Sequence, residues 1–181
     1  MIVTVTPWAA TQATIHRVNI DENTVGRVAK QKAGQLLHPS PYDDGRILAV
    51  RTTETTSHIE VIDATEESGD GDDPVVLAEI KRPWIATQPV RLPDGRVAFL
   101  RLDSDDPSPL PAGDVYLIEA DGRVHPAGYR TVIALMVVGD KLVMESGGMD
   151  GVSDLVATDL KSPPYNITRT PYVSEHLTWS D

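Results

Sequence analysis

The feature that most limits how this chain can fold is a short frame that it uses three times. "YDDGRILAVR" (42–51) and "LPDGRVAFLR" (92–101) each place an Asp-Gly-Arg turn before an apolar strand. "VVGDKLVMES" (137–146) keeps the frame, with Lys141 standing where the others carry Arg46 and Arg96. Glycine after aspartate supplies the backbone freedom of a tight turn, so each copy reads as the turn and second strand of a hairpin. A further alternating strand follows each one: "HIEVID" (58–63), "VYLIEA" (115–120) and "LVATDL" (155–160), all closing near an acidic residue. "IHRVNID" (15–21) is a fourth element of this kind.

Matched on Ile15, Ile59, Val115 and Leu155, these elements recur 44, 56 and 40 residues apart. Insertions explain the long interval: "TEESGDGDDP" (65–74) and "DSDDPSPLPAG" (103–113) are rich in residues that prefer solvated turns to ladders. The first of them is expected to be mobile and dispensable. Each unit therefore reads as four short antiparallel strands, one before the Asp-Gly turn, one after it, then the "IEVID" strand, then an outer strand such as "VVLAEI" (75–80). Helical periodicity is absent, and 14 prolines oppose it. A period near 40 to 50 residues with four strands per unit is the pattern of a propeller. A β-sandwich of many short strands is the competing architecture, and it gives no reason for the frame to recur at a fixed place. The expected fold is all-β: a β-propeller, or a propeller segment, of four antiparallel four-stranded blades. It forms a single domain over 1–181, with units at approximately 175–181 plus 1–34, 35–82, 83–129 and 130–174.

The first unit in that set follows from "HLTWSD" (176–181), which begins a turn whose glycine does not follow. If Asp181 matches Asp44 and Asp94, then Met1-Ile2-Val3 take the places of Gly45-Arg46-Ile47. Residues 175–180 then supply the first strand of a blade whose second strand is "IVTVT" (2–6). Closure within one chain, two chains in an eight-bladed ring, and a segment of a longer protein all fit this frame. Open blade edges would allow a homodimer.

"RLPDGRVAF" (91–99) and "LTWSD" (177–181) resemble the repeat of TolB-like, or PD40, propellers, a branch of the WD40-like folds. That motif is a Trp-Ser-Pro-Asp-Gly-Lys/Arg turn followed by a strand ending in Ala-Phe. "NITRTP" (166–171) is similar to the Asn-Leu-Thr segment that ends such a blade, which accounts for the Asn166-Ile167-Thr168 triplet without glycosylation. The third turn, Gly139-Asp140, departs from the motif. The same blade occurs in the N-terminal propellers of the S9 prolyl oligopeptidase family. The resemblance implies a propeller, usually six-bladed in TolB-like proteins, and no activity by itself.

Little in the chain points to catalysis. There is no Gly-x-Ser-x-Gly elbow, and "ESGGMDG" (145–151) lacks the Lys and Ser/Thr of a phosphate loop, so it reads as a tight turn. The absence of cysteine excludes disulfides, thiolate zinc sites and a cysteine nucleophile. No two histidines fall at metal-ligand spacing; His38 and His176 are expected on innermost strands, where a propeller lines its channel. The carboxylates Glu66, Glu67, Asp70, Asp72 and Asp73 miss the EF-hand spacing and read as a solvated loop rather than a calcium site. Arg51 and Arg101 hold the same place in their copies, with Ser146 in the third. Two such guanidiniums would grip a carboxylate or an acidic peptide, the alternative being pairing with nearby loop aspartates.

A net charge of −11 opposes nucleic acid and anionic membranes, and one Phe, three Trp and five Tyr leave little for base stacking. No 18-residue apolar run and no signal-type N-terminus are present, so the chain as it stands reads as cytoplasmic, with its compartment otherwise open. The expected function is a non-enzymatic binding module for a protein or peptide, using no cofactor or metal. The alternative is the propeller portion of a larger S9-type serine peptidase, where it would restrict access to a catalytic domain.

Overall fold

The computed structural model describes residues 2–5, 14–28, 34–43, 45–64, 73–106, 111–147 and 153–168. Among them the chain is all-β, with no helix. The expected first strand at 175–180, His176 with it, most of the acidic insertion (65–72) and the tip of the "ESGGMDG" turn lie outside the described residues.

The chain divides into two compact units, Met1–Pro89 and Val90–Asp181. In the first, β1 (Ile2–Val5), β2 (Thr14–Asn19) and β3 (Thr24–Arg27) form a three-stranded antiparallel sheet. A four-stranded sheet follows in chain order, from β4 (Gln35–Asp43), β5 (Arg46–Thr52), β6 (Thr56–Asp63) and β7 (Val75–Lys81). The unit boundary falls inside β8 (Trp84–Arg91), whose sheet continues through β9 (Val97–Asp103), β10 (Asp114–Ile118) and β11 (Val124–Pro126). The last sheet orders β12 (Val132–Val138), β13 (Lys141–Gly147), β14 (Ser153–Thr158) and β15 (Tyr165–Asn166). The stretches 35–82, 83–129 and 130–174 thus each hold one four-stranded antiparallel sheet.

Local chemistry explains where the hairpins turn. Gly45 and Gly95 sit at φ 86° and 90°, and Gly139 at 59°, conformations that cost a side-chain-bearing residue but not glycine. The recurring basic residue after each turn faces the acid that closes the next strand. Arg46 lies opposite Asp63, Arg96 Nη1 lies 3.6 Å from Glu119 Oε1, and Lys141 Nζ lies 3.8 Å from Asp159 Oδ2. Cross-strand pairs of opposite charge favour this register over its neighbours.

The strand after each turn is buried on both faces. Ile47 to Val50, Val97 to Leu100 and Leu142 to Met144 are continuous buried runs, as in sheets covered on both sides. In the first unit, Ile15 and Val28 of the three-stranded sheet cluster with Leu36, Ile47, Ala49, Ile62 and Ala64 of the next one. Backbone ties join successive sheets at one repeated position. Ser57 Oγ accepts the Ala86 N–H at 2.8 Å, and in the second unit Gly113 and Val132 exchange N–H···O bonds of 2.8 and 2.9 Å. Ser57 and Gly113 occupy the same place in their strands, but a Cβ on Gly113 would lie 2.7 Å from the Arg101 carbonyl oxygen. Serine reaches across through its hydroxyl, whereas glycine lets the main chain itself approach.

The register carries most of the expected matching. Ile59 faces Val50, Val115 faces Leu100 and Leu155 faces Glu145, so the three sheets align residue by residue. Ile15, however, faces Thr4, which puts Ile2 in the place of Leu48 and not of Arg46. The N-terminus therefore runs two residues ahead of the frame expected from "HLTWSD".

Candidate functional site

β4 and β8, the first strands of their sheets, each carry a non-glycine residue at positive φ. Pro39 has no N–H to give the ladder, and the β4–β5 register shifts between Leu37 and Ser40. His38, just before that proline, sits at φ 53°. A residue preceding proline is normally held in the extended region, so a left-handed one costs on the order of 1–3 kcal/mol and persists only where its surroundings impose it. Gln88 repeats this at φ 49° before Pro89, in the same position relative to Gly95 as His38 holds to Gly45. The two segments touch: Ser40 Oγ donates to the carbonyl of the fully buried Pro89.

Burial pushes the His38 imidazole below its usual value, which leaves the ring neutral at pH 7 with one donor and one acceptor nitrogen. Among the described residues it has no hydrogen-bond partner. The expected site residue His38 is on the first strand of its sheet. The signal that finds Gln88 with it is the pair of X-Pro dipeptides at 38–39 and 88–89, equally spaced from the two Asp-Gly turns.

Arg51 and Arg101 keep equivalent register positions but are spoken for in different ways. Arg51 is buried, and its Nε donates to both carboxylate oxygens of buried Glu60 at 2.9 and 3.0 Å. Its acidic contact is thus a strand residue of its own sheet rather than a loop aspartate. The Arg101 guanidinium lies 4.1 Å from the centroid of the Tyr116 ring, which in turn tilts against Phe99 at 5.8 Å. Tyr116 holds the position that Glu60 holds in the preceding sheet, so one arginine site is completed first by a carboxylate and then by a π-face. In the last sheet the neighbouring buried acid, Glu145, accepts from Ser153 Oγ at 2.9 Å.

No protein-family model matches the chain, and no curated protein matches it. The site therefore stands on its geometry. Among the described residues no group of three His, Asp or Glu side chains is placed to hold a metal ion.

A charged cluster marks the turn end of the second unit. Arg96 donates to Asp94 Oδ2 at 2.7 and 3.0 Å, which holds that carboxyl below its ordinary range. Glu119 is held down chiefly by His125, whose Nε2 lies 2.7 Å from Oε1, and further by Arg96. Asp159 is lowered to about 2, because the N–H groups of Ser162 and Lys161 donate to it at 2.7 and 2.9 Å. Depressed carboxyls contribute stability that is present above the unfolded values near pH 4 and is lost as pH falls through the folded ones. The Tm is accordingly expected to fall between about pH 4 and pH 2, and Asp159→Asn should flatten that fall. A wild-type Tm that stays level across this interval in a pH series of melting curves would contradict the assignment.

Proposed function

We propose that the chain is a TolB-like β-propeller module, or a segment of one, that holds a protein or peptide partner and catalyses no reaction. The observation that carries this reading is the repeated left-handed residue before proline, His38 on β4 and Gln88 on β8, with Ser40 Oγ bonded to the Pro89 carbonyl. Backbone strain repeated at matched positions calls for a reason beyond packing, and ligand contact is one. The common order of the four-stranded sheets, their doubly buried second strands and the Ser57 and Gly113 ties support the propeller part.

The test is selection of a displayed peptide library on the immobilised chain, followed by measurement with His38→Gly. Glycine adopts the φ of His38 without strain, so this variant removes the ring and keeps the bulge. A shared peptide motif whose affinity falls on His38→Gly, with the Tm retained or raised, is the expected result. Enrichment of no motif, or hydrolysis of the selected peptides by the chain, overturns the reading.

A further inference from the structure

Each sheet has two edge strands; β4, β8 and β12, the edges at which the four-stranded sheets begin, are interrupted by Pro39, by Pro89 and by a register shift between Val132 and Ala134, and the strands at the opposite edges differ in a way that matters for association. β3, β11 and β15 are four, three and two residues long, whereas β7 has seven. Short edge strands are how proteins blunt the free N–H and C=O groups that would template another chain; β7 is not blunted this way. No described strand pairs with its far edge. Arg82 N–H donates to the Thr55 carbonyl, with Lys81 opposite Thr56 and Glu79 opposite His58. By the alternation of an antiparallel ladder, the N–H and C=O of Lys81 and Glu79 therefore point away from β6. At the start of the same strand Val75 and Val76 are 57% and 50% exposed.

Charge selects the occupant. The chain carries 27 acidic against 16 basic residues, so a second copy would bring its own −11 to the contact. Asp73, just before β7, and Glu79 on it are exposed, with Glu79 3.2 Å from His58 Nε2 and 3.7 Å from Lys81 Nζ at the end of the strand. We propose that β7 is a docking edge for an extended segment of another protein in which Lys or Arg alternates with apolar residues, added as a fifth strand. Main-chain bonds to Glu79 and Lys81 would give affinity, Val75 and Val76 would take the apolar side chains, and the acidic surface would attract the basic ones. This rests on the reading of the chain as a protein-binding module but places a contact at the outer edge.

The probe is a fluorescent peptide of four Lys-Val repeats, with a Glu-Val peptide of equal length as control, followed by fluorescence polarisation. The Lys-Val peptide is expected to bind, to weaken with added salt, and to slow amide exchange at Lys81. Glu79→Pro removes an N–H that the ladder of β6 does not use, and Val76→Lys sets a positive charge on the edge. Each should weaken binding by at least about tenfold while the Tm moves by a few degrees at most. Val76→Lys alone decides the matter should Glu79→Pro fail to fold. Equal binding of both peptides, or indifference to the variants, overturns the inference. Loss of probe binding in His38→Gly with none in the edge variants removes the edge site and leaves the one at His38. A dimer seen by sedimentation that Val76→Lys or Glu79→Pro dissolves makes the occupant a second copy, which also overturns it.

Discussion

Glu60→Ala is expected to destabilise the protein by about 3–5 kcal/mol, because it leaves the buried Arg51 guanidinium without its counter-charge. Arg51 and Glu60 are only 6% and 3% exposed, so water does not replace the lost carboxylate cheaply. For a chain of this length such a loss lowers the Tm on the order of 10 °C, and thermal or urea unfolding measures it. The double variant Arg51→Met, Glu60→Leu is the informative companion. Since desolvating two charges nearly cancels their attraction, it should recover most of the stability that the single variant loses. A double variant as unstable as the single one would mean that the pair contributes through a wider network than Nε and one carboxylate.

Phe99→Ala should cost a similar amount, about 3–5 kcal/mol, by a different route. Phe99 is fully buried in the middle of β9, where its ring tilts against Tyr116. Removing it takes away the largest fully buried side chain among the described residues and the surface on which Tyr116, and through it Arg101, is set. Phe99→Leu fills most of that volume and should lose considerably less, on the scale of repacking rather than cavity formation. Equal losses for the two variants would show that the aromatic contact, and not the volume, is what β9 requires.

What the sequence by itself determined is what short-range chemistry controls. Asp-Gly and Gly-Asp turns at 44–45, 94–95 and 139–140, with alternation on either side, were enough to place β5, β9 and β13 and the strands that follow them. The matching of Ile59, Val115 and Leu155 was legible for the same reason: a tight hairpin leaves one register that keeps both faces of the strand apolar. The recurrence of Arg46, Arg96 and Lys141 was visible too, although its meaning, an acid across the strand, required the ladder.

Other features were decided only in three dimensions. Arg51 and Arg101 look interchangeable in the sequence, yet one meets Glu60 and the other Tyr116, because the residue diagonal to each comes from the next strand and is not specified by the arginine. The two-residue offset of β1 was visible only in the ladder, where Ile15 faces Thr4. The conformation of His38 was likewise hidden, since the local preference of a residue before proline is extended. Its left-handed form, repeated at Gln88, stands beside the bond from Ser40 to the Pro89 carbonyl, a contact between residues about fifty positions apart that the dipeptide itself does not specify.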